Sequence, residues 1–60
     1  MNMFFVTKVV NKKSLADLVE VLNTRTQDGY IDDQLMIDSD LWVVRVACSL
    51  RSDAGLVRAF

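Results

Sequence analysis

Few residues in this chain can do covalent chemistry. It contains no His, and its one Cys is Cys48, so the commonest carriers of protons and of nucleophilic attack near neutral pH are absent or solitary. A reactive Cys needs a base or a cationic neighbour and some exposure. Cys48 falls in an apolar stretch and reads as a small buried hydrophobe. Catalytic residues: none are assigned, and the chain is expected not to be an enzyme.

The carboxylates cluster. Asp28, Asp32, Asp33, Asp38 and Asp40 fall within thirteen residues that hold no Lys or Arg, leaving seven basic residues against Asp17, Glu20 and Asp53 elsewhere. One reading is an acidic patch that meets a basic partner or imitates DNA phosphates. The other is turn chemistry, which favours Asp, together with protection of an edge strand. A net charge of −1 favours the second. A calcium loop needs several oxygen ligands at D-x-D-x-D-G spacing and a later Glu. Here Asp38-Ser39-Asp40 runs into Leu41-Trp42 with no Glu downstream, so no metal site and no cofactor are expected. Paired-carboxylate hydrolysis would need a cleft that this length does not build.

Lys8, Lys12 and Lys13 lie near Phe4 and Phe5, a combination seen in single-strand nucleic-acid binders. A pI near 5.0 argues against phosphate affinity, which leaves nucleic acid as the alternative partner class. Arg45 is the charge of most interest, because it projects from the most hydrophobic stretch of the chain. It can anchor a partner protein or pair with an acid across a dimer. Trp42 and Tyr30 read as core and core-edge residues, since no Gly-rich loop accompanies them.

These residues need a scaffold. The chain is 52% hydrophobic and 25% charged, has no Pro and only Gly29 and Gly55, and reads as one compact domain over residues 1–60. Met3 to Val10 is rich in aromatic and β-branched residues and reads as a strand. Both its faces are apolar: Phe4, Val6 and Val10 on one, Met3, Phe5 and Val9 on the other. Ser14 is the expected N-cap, with Asp17 near the positive helix end. Leu15, Leu18, Val19 and Leu22 mark a helix over about Leu15 to Gln27, with Gly29 as a left-handed stop. Tyr30 to Ile37 reads as a weaker strand with Ile31, Leu35 and Ile37 on one face. Leu41 to Leu50 is the clearest strand, with Trp42, Val44, Val46, Cys48 and Leu50 forming a wholly apolar face. Residues 56–60 are read as a short fourth strand or extended tail rather than a helical turn capped by Ser52 or Asp53.

The fold class expected is α+β: a β-α-β-β domain whose mixed three-stranded sheet has order 1-3-2, with one helix on the face of Trp42, Val44 and Val46. The opposite face, carrying Met3, Phe5, Val9, Val43, Arg45 and Ala47, would then be bare. For a 6.8 kDa chain, about 3,500 Å² of apolar burial contributes on the order of 90 kcal/mol, close to the cost of ordering the chain. One Cys forbids an internal disulfide, so self-association is the remedy left. Two copies are expected to stack these faces or to pair their first strands edge to edge.

The function expected is therefore a small non-enzymatic interaction protein, a homodimer that binds and modulates or inhibits a larger protein. Compact chains of this size are frequent among viral and mobile-element proteins that act on host machinery. No stretch suits a membrane span or a signal peptide, so a soluble cytoplasmic location is expected.

Overall fold

The computed structural model describes residues 2–60; Met1 lies outside them. The elements are β1 (Phe4–Val10), α1 (Lys12–Arg25), β2 (Tyr30–Asp38), β3 (Leu41–Cys48) and α2 (Arg51–Ala59). β3 lies between β1 and β2 and is antiparallel to both, so the flanking strands run in the same direction. This is the expected α+β domain with sheet order 1-3-2. The centre goes to β3 for a physical reason: Val44, Val46, Ala47 and Cys48 are all fully buried, and only a central strand can be covered so completely. β2 and β3 form the expected hairpin through Ser39 and Asp40.

Both helices pack on one face. Val6 and Val10 of β1, Val44, Val46 and Cys48 of β3, Leu18 and Leu22 of α1, and Ala54 and Val57 of α2 form a single core. Phe4, Leu15, Ile31 and Trp42 close it at the margins. α2 lies over β1 and β3, while α1 reaches β2.

Several local expectations are corrected. Residues 51–59 form a helix, not a fourth strand or tail, and neither Ser52 nor Asp53 caps it; the N-cap is Leu50, with no side-chain bond. Tertiary contacts hold α2 instead. Ala54 and Val57 are buried, and Asp53, itself buried, accepts the Gln27 backbone N–H at 2.9 Å.

α1 begins three residues before Leu15. Asn11 is its N-cap, Ser14 sits at the third helical position, and the two exchange hydrogen bonds of 2.8 and 2.9 Å in a reciprocal box. Asp17 therefore lies beyond the first turn. The N-terminal charge comes from Asp40, whose Oδ1 accepts the Lys12 backbone N–H at 2.9 Å.

α1 ends at Arg25 with Thr26 as an extended C-cap, and Gly29 has no positive φ. Glycine is needed at 29 for space. A Cβ there would meet Thr26 Oγ1 at 2.7 Å and Leu22 Cδ2 at 3.0 Å. Thr26 Oγ1 both donates to the Leu22 carbonyl and accepts the Gly29 N–H.

No described helix is long and apolar enough to cross a membrane.

Candidate functional site

The face opposite the helices is bare, and the register shows how its residues lie. Phe5, Ala47 and Tyr30 form one cross-strand row; Thr7, Arg45 and Asp33 form the next; Val9, Val43 and Leu35 form the third. Two apolar rows thus flank a polar one. Phe5 is 55% exposed, Val9 61%, Tyr30 51% and Leu35 65%. Val43 and Met3 are half-buried. Ala47 departs from the expected exposure: it is fully buried, being the smallest residue of a row between Phe5 and Tyr30.

Arg45 occupies the middle of the face. Its Nε donates to Asp32 Oδ2 at 2.7 Å, and its Nη2 reaches the same oxygen. Its guanidinium lies over the Phe5 ring, 5.0 Å from the centroid. The side chain therefore spans the sheet from β2 to β1 and remains about half exposed. A shallow depression of about 190 Å³ lies beside it, lined by Thr7, Asp33, Gln34, Leu35, Val43 and Arg45.

Asp32 can reach Arg45 because β2 is irregular. The pairing with β3 shifts between Ile31 and Asp33 and again between Met36 and Asp38. These bulges break the strict alternation that placed Ile31, Leu35 and Ile37 together. Ile31 pairs beside Val46 on the helix side, and Leu35 beside Val43 on the bare side.

The acidic residues are spread along β2 and its ends, and each carboxylate has a donor within the protein. Asp28 Oδ1 accepts from the Ser49 backbone N–H, Asp32 from Arg45, Asp33 from the Gln34 N–H, Asp38 from the Ser39 N–H and Asp40 from the Lys12 N–H. Hydrogen bonds from the Ser49 side chain and then its backbone hold the Asp28 carboxyl below its ordinary value. The cluster thus acts in turns, in a helix start and in one ion pair.

Lys8 points to the helix side, half-buried, and its Nζ donates to the Arg58 carbonyl at 3.1 Å in the last turn of α2. The Lys12 and Lys13 side chains are exposed at the start of α1. The three lysines therefore do not line one groove with exposed aromatic rings. Cys48 is fully buried, and its thiol is pushed up by burial and then by the negative charges of Asp53 and Asp28. A thiol so placed is a poor nucleophile.

Sequence reasoning passed over Leu35 and Tyr30 as parts of the bare face. The bulge that turns Leu35 outward had no signal beyond the adjacent Asp32-Asp33. Comparisons with protein-family models, curated proteins and solved structures give no match.

Proposed function

We infer that this chain is a small non-enzymatic protein-interaction module that pairs reversibly with its own copy through the bare sheet face and modulates a larger protein. The observation that carries this reading is the pair of apolar rows in which Phe5, Val9, Tyr30 and Leu35 are each more than half exposed. So much exposed apolar surface on one face of a small domain, even divided by a polar row, marks an interaction site.

The size of the face sets the strength of pairing. Three strands about 4.8 Å apart and seven to nine residues long give a face of roughly 25 by 14 Å, about 350 Å² per copy. Two stacked faces bury about 700 Å², below the ~1,200 Å² of stable complexes. The dimer is thus a reversible one. Arg45 and Asp33 are neighbours in the polar row, so a two-fold stack can set each Arg45 against the other copy's Asp33.

The experiment is mass in solution across concentration, by light scattering and sedimentation, with Val9→Asp and Leu35→Asp beside the native chain. The native protein should move from monomer to dimer as concentration rises. Both variants, altered at exposed positions, should stay folded and monomeric. A native chain that is monomeric throughout, or variants that dimerise equally well, would overturn the reading.

A further inference from the structure

We propose that the open edge of β1 is a docking site for an extended segment of the larger partner protein, in which acidic and apolar residues alternate. This rests on the reading that the chain acts by binding protein, but it uses a surface separate from the stacked face.

The sheet ends at β1 on one side and at β2 on the other. The two edges differ. β2 is bulged at two places and carries Asp32, Asp33 and Asp38, features that discourage strand addition. β1 pairs with β3 without interruption from Phe4 to Val10, so its outer side is regular too. Among the described residues no backbone hydrogen bond leaves β1 on the side away from β3. A regular row of N–H donors and C=O acceptors is therefore left for a further strand.

The charges beside this edge state what kind of strand fits. Arg51 lies over the Phe4 ring, 5.8 Å from its centroid, and Lys8 donates to the carbonyl of Arg58. Arg51 and Arg58 are seven residues apart on α2 and so share one flank. Asp53, facing the end of α1 at Gln27, is on the other flank. The Arg flank therefore overlooks β1, with Lys8 beneath it. Among the described residues none of these three cations forms an ion pair; that of Arg45 with Asp32 is elsewhere. Three unpaired positive charges line one edge of a chain whose net charge is −1.

A strand added here presents alternate residues to opposite sides. Those on the helix side meet Lys8, Arg51 and Arg58 and should be Asp or Glu. Those on the bare side extend the rows of Phe5 and Val9 and should be apolar. A second copy's β1 is disfavoured, since it would bring six cations together. A phosphate backbone fits less well than a strand, because phosphates accept hydrogen bonds and cannot satisfy the edge carbonyls.

The test is a titration of the whole protein, followed by its backbone amide NMR signals, with a capped heptapeptide alternating Val and Glu. A Val/Lys heptapeptide and a ten-nucleotide oligo-dT serve as comparators. The Val/Glu peptide should shift the amides of Phe4 to Val10, leave those of β2 in place, and bind about tenfold or more tightly than the Val/Lys peptide. Arg51→Glu with Arg58→Glu, both exposed, should invert the preference while the amide spectrum stays folded. Equal binding of the two peptides, no shift with either at millimolar concentration, shifts confined to β2 or the bare face, or tighter binding of oligo-dT would each overturn the proposal. The outcome is independent of dimerisation: a peptide-binding monomer sinks the stacked face alone, and a dimer blind to the peptide sinks the edge alone.

Discussion

Replacing Arg45 by Met separates a structural role from a recognition role, because the contacts of Arg45 put a ceiling on what it can contribute to folding. Met keeps the unbranched stem that crosses the sheet and removes the charge. The ion pair with Asp32 joins a half-exposed side chain to a partly exposed one, an arrangement worth about 0.2–1 kcal/mol. Stacking over Phe5 at 5.0 Å adds about 0.5–1 kcal/mol at an exposed site. The whole loss is then about 1–2 kcal/mol, against roughly 3–9 kcal/mol of total stability for a chain of this length. Urea unfolding followed by the fluorescence of Trp42, which packs at the margin of the core, gives the number. A double-mutant cycle of Arg45→Met with Asp32→Ala should return about 0.5 kcal/mol, shrinking in 1 M salt where screening acts over ~3 Å. The cycle with Phe5→Leu should be less salt-sensitive, since its ring quadrupole carries no net charge. Sedimentation of the same variant should show dimerisation weakened by about tenfold or more, the loss expected of a central Arg at an interface. If Arg45→Met costs more than ~3 kcal/mol of stability and leaves dimerisation untouched, Arg45 is a structural residue, and the polar row has no part in recognition.

The two glycines predict opposite outcomes in the same assay. Gly55→Ala adds a Cβ with no atom within 4 Å inside α2 and should stabilise by about 0.5–1 kcal/mol, a rise in urea midpoint of roughly 0.5–1 M. Gly29→Ala drives a Cβ to 2.7 Å from the hydroxyl that bonds its own N–H, and should destabilise by about 1–3 kcal/mol; a neutral result would mean that Thr26 moves freely. Asp28 gives a pH effect. Because its folded value is lowered by the Ser49 bonds, its contribution is present above the unfolded value near 3.8 and is lost as pH falls through the lower folded value. Thermal melts between pH 5 and 2 should therefore show the native chain losing stability more steeply below about pH 4 than Asp28→Asn does, and parallel curves would remove the role given to Ser49.

The sheet was legible in the sequence because its signal is local. Leu41 to Cys48 has one wholly apolar face and few charges, which forces it to the centre, and the helix between β1 and β2 then fixes the order of strands. α2 was not legible. Its start has no capping side chain, Gly55 lowers its propensity, and its stabilising contacts lie far away in sequence: Asp53 with Gln27, Lys8 with the Arg58 carbonyl, and Val57 in the core. The start of α1 was shifted because Asn11 and Ser14 both suit a cap. The choice turns on Asp40, twenty-eight residues from Lys12 and brought there by the hairpin. The bare face was half legible. β1 and β3 displayed it by simple alternation, while β2 hid Leu35 behind a bulge that alternation cannot express.

The distribution of satisfied and unsatisfied groups favours one of the two charge-based readings. Each carboxylate between residues 28 and 40 already accepts a hydrogen bond from within the chain. Their charge is already partly offset by these donors, so a basic partner gains less from them than from a carboxylate with no donor at all. Lys8, Arg51 and Arg58 are in the opposite position. Lys8 spends one donor on a carbonyl, Arg51 rests on a ring, and among the described residues no carboxylate pairs with any of them. A partner can engage these cations without dismantling a native ion pair, beside a strand edge whose outer backbone groups have no backbone partner among the described residues. A charge with no internal partner can contribute more to association than one already paired, because pairing it costs no native contact. The acidic stretch conspicuous in the sequence thus contributes to folding, and the dispersed cations of residues 8, 51 and 58, which α2 brings beside β1, are the ones the proposed strand-edge site would use.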